Sequence, residues 1–97
     1  LAHRIPAFEA LRLRSAWAGY YDMNAFDHNA VVGAVPGCRN ALIAAGFSGH
    51  GMQHAPAVGH AVAARLSGRG SPDAVDIGAL SPQRLLDHRP LLESNVI

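Results

Sequence analysis

Apolar and polar positions change their spacing along the chain, and each change predicts a new element. Leu1 to Ala10 reads as the end of a helix and an exit loop, because Pro6 limits continuation. From Leu11 the period is two. Leu11, Leu13, Ser15 and Trp17 alternate with Arg12, Arg14, Ala16 and Ala18, which predicts a strand with one apolar face and two arginines on the other. Gly19 interrupts it before Tyr20 and Tyr21, and Asp22 to Asn29 is polar and loop-like. Val31 to Val35 predicts a second short strand, stopped by a Pro36-Gly37 turn, and after Asn40 a third is expected over Ala41 to Phe47.

The period then lengthens. A helix is expected from Gly51 to about Ser67, with Val58, Val62 and Leu66 stacked on its buried face. Pro56 falls in or just after the first turn, where its missing donor costs little, while Gly68 supplies the stop and Arg65 suits the last turn. Residues 69–97 read as a loop-rich tail with a short helix around Pro82 to Leu86. Strands followed by a helix give an α/β (α+β) piece of a larger sheet.

Composition narrows the classes. Ninety-seven residues make at most one small domain, and 49% hydrophobic content is that of a folded protein. So short a chain buries only roughly 60–65% of its unfolded surface, which makes independent stability marginal. With no initiator methionine before Leu1, the chain reads as a piece of a longer protein whose C-terminus is Ile97. All eight basic side chains are arginine, scattered from Arg4 to Arg89, so no stripe tracks nucleic-acid phosphates. The absence of lysine removes Schiff-base and P-loop chemistry from this segment. Cys38, alone, excludes an internal disulfide. The apolar run from Ala41 to Phe47 is far too short to span a bilayer.

Chemistry concentrates in Gly46-Phe47-Ser48-Gly49-His50-Gly51, where a strand enters glycines that open into a helix. Glycines there let backbone approach a planar ring or a phosphate, and the helix start offers free N–H groups and a positive dipole end. If the ring is a flavin, such a site stabilises the charge that develops on reduction. The spacing G-x-x-G-x-G is not the dinucleotide fingerprint G-x-G-x-x-G, and Asp73 lies in a Pro/Gly-rich loop rather than at a strand end. Three other chemistries stay open. Ser48 could sit on a nucleophile elbow, although G-x-S-x-G would need glycine where His50 stands. His50 and His54 have the i, i+4 spacing of a zinc helix, although Gly51 replaces the glutamate. The glycines could also serve only close helix–strand packing. Trp17, Tyr20, Tyr21 and Phe26 read either as sheet core and rim or as a pocket wall beside Gly19.

Three segments in order, Trp17-Ala18-Gly19-Tyr20, Asp27 to Gly33 and Ala45 to Gln53, resemble the C-terminal part of the FAD-dependent amine oxidoreductases of the D-amino-acid oxidase, sarcosine oxidase and dimethylglycine dehydrogenase superfamily. The likeness runs from about Arg4 to Ile77. Ser15 to Asp22, Phe26-Asp27, Gly46 to Gln53, Asp76-Ile77 and the end Asn95-Val96-Ile97 are similar to a mitochondrial branch of that superfamily that supports assembly of respiratory complex I.

The resemblance implies a two-domain flavin fold, with a Rossmann-like sheet plus an antiparallel substrate-domain strand. Residues 1–97 would be its C-terminal portion, carrying the last strands and last helix, with the nucleotide-binding half absent. It implies FAD as cofactor, Ser48, Gly49, His50, Gly51 and Met52 against the flavin or its ribityl chain, and Gly19 and Tyr20 beside the isoalloxazine. It implies complex I assembly intermediates or subunits as partners and a mitochondrial, matrix-side location, with inner-membrane association left open. Sarcosine-oxidase-like members carry a carboxylate-binding lysine where this chain has Gln53, an amide without charge. That departure fits the assembly branch and argues against one alternative, an active amine or amino-acid dehydrogenase; a second alternative, a flavin-free scaffold, would be separated by the absence of bound FAD.

Overall fold

The structure, a computed structural model, describes residues 1–68 and 75–92. A short 3-10 turn at Pro6–Ala10 is followed by an extended segment, then strand β1 (Val31–Ala34), strand β2 (Leu42–Ala45) and helix α1 (Gly51–Leu66). A 3-10 turn at Gly78–Leu80 and the one-turn helix α2 (Gln83–Leu86) complete it. Asp73 and the Asn95–Ile97 end lie outside the described residues.

The two strands pair antiparallel, with Val31 opposite Ala45, Val32 opposite Ala44, Gly33 opposite Ile43 and Ala34 opposite Leu42. Val31, Val32 and Ile43 suit a pleated surface, and Pro36-Gly37 closes a turn in which Gly37 takes φ +80° and Cys38 N–H donates to the Val35 carbonyl at 3.0 Å. Gly33, at φ +147°, allows the close approach of Pro82 to the sheet, because a Cβ there would lie 3.1 Å from Pro82 Cδ.

Helix α1 packs on β1 through a narrow stripe. Ala30, Val32 and Val58 form the core, with Phe47, Val62, Ile77 and Leu80 packed against it. Ala61 is buried one turn on from Val58, whereas Leu66, expected on that face, is exposed. Pro56 lies inside α1, past its first turn, so the Met52 carbonyl loses its helical donor. Met52 is exposed, which leaves that carbonyl to water. Gly68 at φ +64° ends the helix in the expected way.

One expectation is corrected. Residues 11–17 form no strand, and Leu11, Leu13 and Trp17 stand exposed instead of lining an apolar face. The physical reason is that no other described strand offers this segment a ladder, and a strand without a partner has no stability of its own. The unpacked segment also explains the radius of gyration of 16.9 Å, above the about 13 Å of a compact domain of 100 residues. The described part of the loop-rich tail, residues 75–92, carries the short helix expected around Pro82 to Leu86 as α2. It contributes Ile77 and Leu80 to the core and carries the buried Arg84.

Candidate functional site

The glycine turn is shaped by the polar loop that precedes β1. The Asp22 carboxylate accepts the N–H groups of Gly46 and Phe47, and the Asp22 carbonyl accepts Ser48 N–H at 2.9 Å. Ser48, 5% exposed, receives Asn24 N–H on its Oγ at 3.0 Å and donates that hydroxyl to the Gly46 carbonyl at 3.2 Å. Those bonds hold a left-handed run: Gly46 at φ +69°, Ser48 at φ +50° and Gly49 at φ +90°. For serine that conformation is uncommon and has to be held by its surroundings.

With the turn so bent, α1 begins at Gly51 without a side-chain cap and without an acidic residue in its first turn. Among the described residues, no acceptor meets the N–H groups of Gly51, Met52 and Gln53. The turn thus presents unpaired donors at the positive end of a helix, next to a position that has no side chain. Tyr21 lines this place from the other side, since a Cβ on Gly49 would lie 3.5 Å from Tyr21 Cζ.

Beneath the loop lies a buried ion pair that sequence reasoning missed. Arg84 Nε donates to Asp27 Oδ2 at 2.7 Å and Nη2 to Asp27 Oδ1 at 3.0 Å. Arg84 also donates to the carbonyls of Leu80, Ser81, Asn29 and Ala30. Asp27 further accepts Asn24 Nδ2 and the N–H groups of Asn29 and Leu91. Asp27 and Arg84 are 3% and 7% exposed, so nearly every polar atom is met inside the protein. The loop's density of Asp and Asn hinted at backbone-binding side chains, but nothing in the sequence links Asp27 to an arginine 57 positions away.

Burial pushes the Asp27 carboxyl up, but the Arg84 hydrogen bonds, the Leu91 and Asn29 N–H groups and the Arg84 charge outweigh it, and the carboxyl titrates below its ordinary range. A carboxyl depressed in the folded state stabilises it fully above its unfolded value of about 3.9, and loses that stabilisation as pH falls toward the folded value. Thermal stability of the full-length protein should therefore fall more steeply below about pH 4 than that of Asp27→Asn. Parallel acid limbs would contradict this.

The other expected site residues fall as follows. His50 precedes α1, and its ring stacks on that of His54 with centroids 5.7 Å apart. Stacked rings do not converge on a cation, and among the described residues no three His, Cys, Asp or Glu side chains do so. The Ser48 hydroxyl is spent on the turn, which argues against a nucleophile elbow. Met52 is exposed on α1. Gln53 borders a groove of about 240 Å³ with His54, Ala57, Val58, Val75, Asp76, Ile77 and Leu80. Gly19 and Tyr20 lie exposed on the extended segment, and Tyr21 rather than Tyr20 meets the turn. No helix among the described residues is long and apolar enough to cross a membrane.

A family model described as FAD dependent oxidoreductase matches residues 1–65. Curated relatives named FAD-dependent oxidoreductase domain-containing protein 1 or its homolog match the chain. The Xenopus laevis relative is 50% identical over the whole chain, which spans 19% of that protein. The Bos taurus relative is 67% identical over 65% of the chain, or 13% of its own length. The Drosophila melanogaster homolog is 40% identical over 98% of the chain, or 18% of its own. No solved structure matches.

Proposed function

Because this chain belongs to the FAD dependent oxidoreductase family, we propose that its glycine turn and the start of α1 form one wall of a flavin site in a longer protein. The observation that carries this is the row of unpaired N–H groups on Gly51, Met52 and Gln53 behind a side-chain-free Gly49. The residues fit an electron-rich ring edge: donors are free, no carboxylate stands in the first turn, and the positive helix end favours charge that builds on reduction. FAD, when bound, supplies the electron-accepting chemistry.

In this proposal Gly49, His50, Gly51 and Met52 contact the flavin through backbone, Ser48 holds the turn, and Gly19 and Tyr20 come beside the ring once the segment around them pairs within the complete two-domain fold. Residues 1–97 would then be an incomplete part of that fold. The binding site for the nucleotide half would lie in the remainder of the protein. The finer assignment is to a mitochondrial, matrix-side protein that supports complex I assembly through assembly intermediates or subunits, and it rests on the sequence resemblance and on Gln53. The test is the visible absorption spectrum of the purified full-length protein. A flavin spectrum supports the reading, and a colourless folded protein overturns it in favour of a scaffold.

Gln53 separates the assembly reading from an amine or amino-acid dehydrogenase. An amide offers a carboxylate no charge, and a charge-assisted bond is about twice as strong as a neutral one. Gln53→Lys should leave flavin bound and tighten a carboxylate inhibitor by about tenfold, read from the perturbation of the flavin spectrum. Unchanged affinity would remove Gln53 from the substrate wall. Turnover of secondary amines by the wild type would favour the dehydrogenase.

A further inference from the structure

We propose that Arg84, in α2, is a positioning residue for the glycine turn, acting through Asp27 and Asn24. The functional consequence rests on the flavin reading above; the structural coupling does not.

Asn24 is the pivot. Its N–H donates to Ser48 Oγ, its Oδ1 accepts Phe26 N–H at 3.1 Å, and its Nδ2 donates to Asp27 Oδ1 at 2.8 Å and to the Asn29 carbonyl at 2.6 Å. Its Cβ also packs against the turn, 3.2 Å from where a Cβ on Gly46 would lie. A shift in Asn24 therefore moves both Gly46 and Ser48, the two residues that bend the backbone ahead of α1.

What fixes Asn24 is the orientation of Asp27, and what fixes Asp27 is the Arg84 fork. The guanidinium spans both carboxylate oxygens, while its remaining donors clamp the Asn29 and Ala30 carbonyls just before β1 and the Leu80 and Ser81 carbonyls before α2. Arg84 thus binds the polar loop, the entry to β1 and the segment around Leu80 into one unit. Lysine keeps the charge but is a single point with three donors, so it cannot span the carboxylate and four carbonyls together.

The test uses the full-length protein with Arg84→Lys, read by amide hydrogen exchange and by FAD titration. Exchange at Gly46, Phe47 and Ser48 should quicken by about tenfold and the FAD Kd should rise by a similar factor, while Val62 and Ala63 in α1 keep their protection. Combined with Asn24→Ala, the effects on turn exchange should be non-additive, because both act on one path; a merely structural role would add. Should Arg84→Lys fail to fold, Asp27→Asn, which keeps the acceptor oxygen but weakens the fork, gives the same readouts.

Turn amides that exchange at the wild-type rate in a folded variant would overturn the positioning role. Full additivity would overturn it as well. A wild-type protein without flavin would sink the flavin reading, and turn exchange alone would then decide the role of Arg84.

Discussion

Gly49→Val should abolish flavin retention by the full-length protein while leaving it folded. Gly49 sits at φ +90°, where a β-branched residue is strained by about 1–3 kcal/mol. A Cβ would meet Tyr21 Cζ at 3.5 Å, ordinary contact, but γ-methyl groups would crowd either the Tyr21 ring or the open side of the turn. That open side is where backbone has to come against the flavin, so the substitution acts on the cofactor more than on the fold. Co-purifying flavin, measured per mole of protein, should fall to background, with the melting temperature lowered by several degrees. Gly59→Ala is the control. It lies in α1 with nothing within 4 Å of its Cβ position, and it should leave flavin content unchanged. Full flavin content in Gly49→Val would remove the turn from the cofactor contact.

Asp27→Ala should be the most damaging single change to stability, at about 3–5 kcal/mol. It strips the acceptor from the Arg84 fork, from Asn24 Nδ2 and from the N–H groups of Asn29 and Leu91, all at a side chain with no exposed surface. Arg84 would keep its carbonyl partners but remain a buried cation without a counter-charge. Urea denaturation of the full-length protein measures the loss; a change below about 1 kcal/mol would mean that the pair adds little to the cost of burying it.

These two residues differ in how far the sequence announced them. Gly49 was legible, because strand, glycines and helix follow one another within a few positions and local chemistry dictates the bend. The hairpin from Val31 to Ala45 and helix α1 were legible for the same reason, each resting on short-range pattern and on Pro36-Gly37 or Gly68 as stops. Residues 11–17 show the opposite case. Their period-two alternation is real, but a strand is a relation between two segments, and no other described strand pairs with this one.

Leu66 stands exposed where the sheet, two four-residue strands among the described residues, gives the end of α1 little to cover it, whereas Val58 and Ala61 are buried. Asp27 and Arg84 were illegible because a pair 57 positions apart leaves no local trace. An arginine between Gln83 and Leu85 reads as a solvated helix residue until the fold turns it inward. Ser48 was seen, yet its part as the clasp for Asn24 and Gly46 came only with the geometry.

The central claim is that the start of α1 faces the flavin, and amide exchange of the full-length apoprotein with and without added FAD tests it most directly. FAD should slow exchange at Gly51, Met52 and Gln53 selectively, because those N–H groups gain an acceptor they lack in the protein alone. FAD that binds while these three amides exchange as before would contradict the account and place the flavin against another part of the protein.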